Sequence, residues 1–384
     1  MTHGPTEIPR RGGASRAPRH LVALVREHAA HRPDAVAYRF VEGADAAATA
    51  WTYRELDLRA RRVAALLQAE GLTGAPVLLL HPPGLGYIAG FLGCLYAGSF
   101  AVPAYPPDTR RFGQTTARLA AIARDARATH ALTTDDLARL ADERKDELAA
   151  SGLGGLRWLT TGGPGASPDA GGAPGADDWR EPDLDGDSLA FLQYTSGSTS
   201  APKGVMVGHG NLLHNLGAIH RRLEHDEHSA MVSWLPPYHD MGLIGGILSP
   251  LYGGFPAHLM APMSFVRKPL LWLRTLSDTR ASTSVAPNFG FEACVRRITD
   301  EERAGLDLSH WRLALNGAEP VRADTLDGFA ERFAPCGFRR AALLPCYGLA
   351  EATLMVTGVR AHEPPVIGAF DAAALGAGTA APAA

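Results

Sequence analysis

The sequence predicts an α/β protein with largely parallel sheets, and three observations carry that prediction. Short apolar runs alternate with helix-length segments along most of the chain, the signature of βαβ units. Several runs, such as APVLLL at 75–80, are apolar throughout, as strands covered on both faces are. At 384 residues the chain can bury a large core and divide into more than one subdomain.

Taken in order, HLVALVREHAAH (20–31) sets Leu21, Leu24, Val25 and His28 on one helical face. A second helix opens on a capping box, Thr52 with Glu55, and stops at Gly71. APVLLL then leads to a helix at 86–97, FAVPAY (100–105) to a helix at 114–128, and HALTT (130–134) to helical sequence at 135–150, with the strand LRWLT (156–160) after it. Residues 162–188 are rich in Gly, Pro and Asp with almost no apolar content and read as a surface linker. The alternation resumes with the strands LAFLQY (189–194) and VMV (205–207), a helix, and the strand AMVSWL (230–235). ASTSVAP (281–287), WRLALNG (311–317) and AALLP (341–345) read as further strands, and GLAEATLMV (348–356) as a closing helix.

Composition excludes several classes. A formal net charge of −3 gives no electrostatic reason to expect a nucleic-acid partner. Cys94, Cys294, Cys336 and Cys346 lack CxxC spacing, which argues against a zinc site or a disulfide framework and suits a reducing cytoplasm. Residues 1–19 carry positive charge with no apolar segment behind it, so they read as a disordered lead-in rather than a secretory signal. The uncharged stretch 82–107 is long enough to span a bilayer, but its glycines and Pro103 cut it into helix-sized and strand-sized pieces of buried core. The protein is therefore expected not to cross a membrane.

The chemistry concentrates in loops that follow strands. In TSGSTSAPKG (195–204), Gly197 and Gly204 free the backbone for close approach. The hydroxyls and amides of Thr195, Ser196, Gly197, Ser198 and Thr199 can donate to phosphate oxygens, and Lys203 can neutralise them. A polar turn capping its own backbone is the plain alternative, but Pro202 and Lys203 at set offsets after a strand favour phosphate. It is not a Walker loop, because Lys203 precedes its glycine and no Ser or Thr follows to hold magnesium. In CYGLAEAT, Tyr347 offers a flat face for a purine, and Glu351 offers a hard oxygen for Mg²⁺. A glutamate placed favourably in the first turn of a helix is the alternative there, and the neighbouring phosphate loop favours the metal. In NGAEP (316–320), Gly317 and Ala318 are small enough for a base to lie against the backbone, although Pro320 also suits a routine helix start. His239 and Asp240 in PPYHDMG are adjacent on one turn, an arrangement in which the two side chains point apart and lack a third ligand. EHDEH (224–228) reads as a solvated turn, and GLGYIAG (84–90) as helix packing, since its last glycine falls one position late for a dinucleotide fingerprint.

Five of these segments, TSGSTSAPKGVMV, SWLPPYHDMGLIGGIL, APNFGFEAC, NGAEPV and YGLAEATL, together resemble the adenylate-forming superfamily, and within it the fatty acyl-AMP ligases. The resemblance extends from about 20 to about 359; Ser200 and Ala350 depart from many relatives in ways that fit this branch. It implies the large N-terminal domain of that fold, with stacked mixed and parallel sheets flanked by helices, over 20–360, residues 361–384 beginning a further segment. It implies ATP and Mg²⁺, with Tyr347 stacked on adenine and Asn316, Gly317 and Ala318 lining the adenine pocket. Glu351 would ligate the metal, and His239 would stand where the carboxylate and nucleotide pockets meet, with Lys203 as its catalytic companion. Trp234, Met241 and Phe289 are candidates for an acyl pocket. The implied reaction joins a fatty acid to AMP and delivers the acyl group to the phosphopantetheine thiol of an acyl carrier protein. An acyl-CoA or aryl-CoA synthetase, and a non-catalytic nucleotide or acyl-adenylate binder, remain as alternatives. The ribose-binding Thr-Gly-Asp motif and the lysine-bearing lid subdomain of the family do not occur before Ala384, so a truncated, poorly active form is expected.

Overall fold

A computed structural model describes residues 18–43, 48–107, 112–161, 174–195 and 202–383. The described residues carry strands β1 (Val36–Val41), β2 (Thr49–Thr52), β3 (Pro76–Leu79), β4 (Phe100–Pro103), β5 (His130–Thr133), β6 (Arg157–Thr160), β7 (Leu189–Tyr194), β8 (Gly204–Gly208), β9 (Met231–Ser233), β10 (Ala257–Met260), β11 (Thr283–Ala286), β12 (Leu313–Asn316), β13 (Leu343–Gly348) and β14 (Met355–Gly358). They form a six-stranded sheet in the order β6-β5-β3-β4-β7-β8 and an eight-stranded sheet in the order β14-β13-β12-β11-β9-β10-β1-β2. Antiparallel pairing is confined to β1–β2, β13–β14 and β7–β8, each at a sheet edge, and the interior pairs are parallel.

Side-chain alternation along each strand divides the interior into layers. In the six-stranded sheet Val77, Leu79, Ala101 and Phe191 face inward, while Leu78, Leu80, Val102 and Leu192 pack on the outer helices Phe112–Ala126 and Lys145–Ser151. The helices Tyr53–Ala69 and Leu85–Tyr96 lie between the two sheets. They approach so closely that a Cβ on Gly93 would meet Val63 Cγ1 at 2.3 Å, so no larger residue fits there without displacement. On the far side of the eight-stranded sheet Val232, Ala314 and Leu343 pack on an aromatic cluster of Trp272, Trp311, Phe291 and Phe329.

Most of the expected elements form. Thr52 and Glu55 make the capping box with both hydrogen bonds present, at 3.3 and 2.8 Å, and Gly71 ends that helix region at φ +72°. The uncharged stretch becomes the buried helix Leu85–Tyr96 followed by β4, and no helix among the described residues is long and apolar enough to cross a membrane. The helical stretch at 135–150 breaks at Arg144 into Asp135–Glu143 and Lys145–Ser151.

Three expectations are corrected. GLAEATLMV is not a helix: β13 runs on to Gly348, a single 3-10 turn covers Ala350–Ala352, and the chain folds back as β14. Thr353 makes the reversal, at φ +71° and ψ −63°, and the Leu354 N–H donates to Ala352 O at 2.9 Å across it. This is the strained γ-turn, which a helix cannot contain. In EHDEH, residues 226–228 are exposed as expected, but His225 turns inward and is 6% exposed, bonded through Nε2 to Thr283 Oγ1 at 3.0 Å. The third correction concerns His239 and Asp240, described with the site.

The described part of the 162–188 stretch, 174–188, lies along the surface. Ala176 is buried, the Trp179 indole N–H donates to Tyr96 O at 2.7 Å, and Arg180 exchanges two hydrogen bonds with Gln68. Of the lead-in, 1–17 lies outside the described residues. Near the other end, Phe370 bridges Pro382 around the short helix Ala372–Gly376.

Candidate active site

β9, β11, β12 and β13 run parallel, so the loops leaving their carboxyl ends gather along one rim, where α/β proteins bind ligands. A cavity of about 260 Å³ opens there, lined by Thr195, His239, Asp240, Met241, Ala318, Cys346, Tyr347 and Glu351. Four separate sequence motifs therefore converge on one space, while APNFGFEAC contributes no lining residue. Its inner wall is apolar, made of Ile219, Leu223, Met231, Val285, Leu315 and Leu354.

Thr195 directly follows β7 and reaches the cavity, while Lys203 precedes β8 and is exposed. Because β7 and β8 pair antiparallel, both ends of the Ser/Thr/Gly segment stand at the same sheet edge. Ser196, Gly197, Ser198 and Thr199 lie outside the described residues.

At the end of β12, Gly317 packs so tightly that a Cβ would lie 2.8 Å from Cys346 O and 2.9 Å from Cys346 Sγ. Ala318 follows at φ +66°, a left-handed conformation costly for any residue with a Cβ. Together they present bare backbone beside Tyr347, whose ring is 57% exposed. Asn316 is instead fully buried behind this rim, its amide 3.4 Å from Asn288 Oδ1, and does not line the cavity. Burial pushes the Cys346 thiol up to about 11, so it stays protonated at neutral pH.

Glu351 is exposed on the short turn beside the strained Thr353, a location where backbone strain tends to concentrate. Among the described residues no three-ligand group of His, Cys, Asp or Glu is assembled. A single carboxylate lining the cavity suits Mg²⁺, which takes one or two protein carboxylates and otherwise phosphate oxygens and water.

His239 and Asp240 do not point apart. His239 Nδ1 lies 2.7 Å from Asp240 Oδ1, and the Met241 N–H donates to the same carboxylate oxygen at 2.7 Å. The pair stands just before the π-helix Met241–Leu248, with Asp240 as its N-cap. The hydrogen bond to Asp240 raises the His239 pKa, favouring an imidazolium at the cavity mouth.

Of the three apolar candidates only Met241 lines the cavity. Trp234 stands an odd number of positions from Met231 and so leaves the strand on the opposite side. There its ring stacks on Phe265 at 3.8 Å, with Phe289 edge-on at 5.7 Å.

Asn215 was missed by the sequence reading. Its amide donates to Met355 O at 3.0 Å and to Ala352 O at 3.4 Å, and its Oδ1 accepts from the Met355 N–H at 3.1 Å. One buried side chain thus ties down both sides of the Glu351 turn. The available signal was a polar residue on the otherwise apolar face of Leu212, Leu216 and Ile219.

The family model for AMP-binding enzymes matches residues 25–380. The chain is 42% identical over 337 residues to "Medium-chain-fatty-acid--[acyl-carrier-protein] ligase JamA" of Moorena producens, covering 88% of this chain and 56% of that protein. It is 37% identical over 376 residues to "Medium-chain-fatty-acid--[acyl-carrier-protein] ligase TtuA" of Teredinibacter turnerae, covering 91% and 58%. The crystal structure of a fatty acyl-adenylate ligase from L. pneumophila, in complex with acyl adenylate and pyrophosphate, superposes with a TM-score of 0.82 at 41% identity, covering 91% of this chain and 58% of that one. The chain thus spans little more than half the length of the proteins it matches.

Proposed function

The chain belongs to the AMP-binding enzyme family, and from that premise we propose that it serves the ATP-dependent activation of a fatty acid. The reaction is fatty acid plus ATP giving acyl-AMP and pyrophosphate, with the acyl group destined for an acyl carrier protein. The carrying observation is a single cavity lined both by His239, Asp240, Tyr347 and Glu351 and by an apolar wall. The relatives named as carrier-protein ligases support the acceptor. In this reading residues 20–360 form the nucleotide- and acyl-binding unit. The four free cysteines suit a cytoplasmic setting.

The nucleophile is a carboxylate, ionised at pH 7 without help from a base. Its oxygen bonds to the α-phosphorus, the bond to the β-phosphate oxygen breaks, and pyrophosphate leaves with the electron pair; no proton moves. The barrier is repulsion between anions together with the entropy of alignment, so the protein's work is positioning and charge neutralisation. His239, held by Asp240 and favouring its charged form, attracts the carboxylate at the cavity mouth. Lys203 and the hydroxyl-rich segment from Thr195 neutralise the phosphates. Tyr347 stacks on the adenine, which lies against the bare backbone at Gly317 and Ala318. Mg²⁺, held by Glu351 and phosphate oxygens, would supply further charge neutralisation. The apolar wall holds the acyl chain and keeps water from the mixed anhydride.

Calorimetry with an acyl-sulfamoyl adenosine, a non-hydrolysable mimic of acyl-AMP, tests this reading. The mimic should bind one-to-one, and Tyr347→Ala should weaken it roughly tenfold, the worth of about 1.4 kcal/mol. Glu351→Gln should weaken Mg-ATP but leave the mimic, which lacks β- and γ-phosphates, nearly unaffected. The reading fails if the mimic does not bind, or if both variants bind both ligands like the parent.

A further inference from the structure

Two buried side chains that do not line the cavity hold the backbone just ahead of His239. Pro237 and Tyr238 are buried, whereas His239 is exposed. Their successive carbonyls each accept one side-chain hydrogen bond. The Tyr87 hydroxyl donates to Pro237 O at 2.7 Å, and the Gln193 amide donates to Tyr238 O at 2.9 Å. Tyr238 adds a third bond, its own hydroxyl donating to His81 O at 2.5 Å. The turn follows β9 of the eight-stranded sheet, yet its partners belong elsewhere: Gln193 is on β7 of the six-stranded sheet, and Tyr87 is on the helix Leu85–Tyr96 between the sheets.

Side-chain parity makes the clamp part of the site's geometry. Phe191 faces the space between the sheets, and Gln193, two positions on, meets the turn. Thr195, two further on, lines the cavity. One strand therefore places both the start of the phosphate segment and the turn that bears His239. On the other side of the histidine, the Leu243 N–H donates to His239 O at 2.8 Å within the π-helix.

We propose that Gln193 and Tyr87 are positioning residues for His239, fixing where its imidazole stands relative to Thr195. This rests on the reading of His239 as the group that attracts the acid's carboxylate, and deepens it. Both act through the backbone, by holding the two carbonyls that precede the histidine. Removing either donor leaves a buried carbonyl unpaired, and the turn moves to find another partner, carrying the imidazole with it. A shift on the order of 1 Å is enough to forfeit much of an aligned interaction. Tyr347 and Glu351 stand on β13 and the turn after it, so the nucleotide contacts they make do not depend on the clamp.

A double-mutant cycle separates positioning from plain packing. Calorimetry measures the acyl-sulfamoyl adenosine and Mg-ATP on the parent chain, Gln193→Met, His239→Ala and the double variant, with Tyr87→Phe replacing Gln193→Met should that form not fold. Methionine keeps the length of glutamine and removes its donor. Gln193→Met should weaken the mimic roughly tenfold in the parent and about twofold or less once His239 is already alanine, with Mg-ATP changed by about twofold or less in both. Equal losses in the two backgrounds, no loss in either, a matching loss for Mg-ATP, or a mimic indifferent to His239→Ala overturns the proposal while leaving the acyl-adenylate site standing. If the mimic does not bind the parent chain at all, the proposed function falls with it.

Discussion

Acid should unfold this protein well before its carboxylates titrate. His81, His209, His225 and His258 are all less than a tenth exposed. Burial lowers each of them from an ordinary value of 6.5, to about 4 for His81, His209 and His258 and about 3 for His225. Neighbouring charge adds to the effect, from His20 at His209, from His220 at His225, and from Arg39 at His258. The folded values are depressed, so the unfolded chain takes up protons first. Their contribution to stability is complete above pH 6.5, falls as the pH drops from 6.5 towards 4, and levels off below that. At pH 5 each group costs roughly 2 kcal/mol, and the four together roughly 8 kcal/mol, against a total stability of about 5–15 kcal/mol for a typical domain. His239 acts in the opposite sense: its raised value adds stability at low pH that is lost as the pH climbs through it. Urea midpoints measured at constant ionic strength should decline steeply between pH 6.5 and 5, with a slope of at least about four protons because burial lowers His28 to about 4 as well, and His258→Gln should remove about one. A midpoint that stays level from pH 7.5 to 5 would refute the reasoning, because four buried neutral imidazoles require proton uptake on unfolding.

Two further perturbations separate positioning from packing. Asn215→Leu frees the Glu351 turn while filling an apolar environment, so Mg-ATP binding should weaken several-fold, with the acyl-sulfamoyl mimic losing less; equal losses for both ligands would point to general misfolding. Trp234→Phe should lower stability by about 1–3 kcal/mol through lost aromatic packing yet leave the profile of acyl chain lengths unchanged, as measured by urea unfolding and competition binding. A shifted profile would return Trp234 to the acyl wall.

How far the sequence reading reaches depends on the range of the interactions involved. The Thr52 capping box, the stop at Gly71 and the strands 75–80 and 189–194 rest on neighbours within a few positions, and such local chemistry reads directly from residue order. The motif residues Thr195, His239, Ala318, Tyr347 and Glu351 stood out for the same reason: small, hydroxylated or charged side chains follow apolar strands. Their gathering around one cavity is a property of parallel strand order, since β9, β11, β12 and β13 aim their carboxyl ends at a common rim. Long-range partners stayed hidden. Asn215 meets Met355 across 140 positions, and its polar place on an apolar helix face does not say which partner it finds. The reversal at Thr353 defeated a helical pattern because edge pairing of β14 on β13 outweighed the local preference. Trp234 and Met231 look alike as apolar residues of one segment, and the sheet sends them to opposite sides. The residues themselves determined which chemistry the chain carries; only the fold decided which of them face a shared space, because that depends on strand order and side-chain parity, which join positions far apart in the chain.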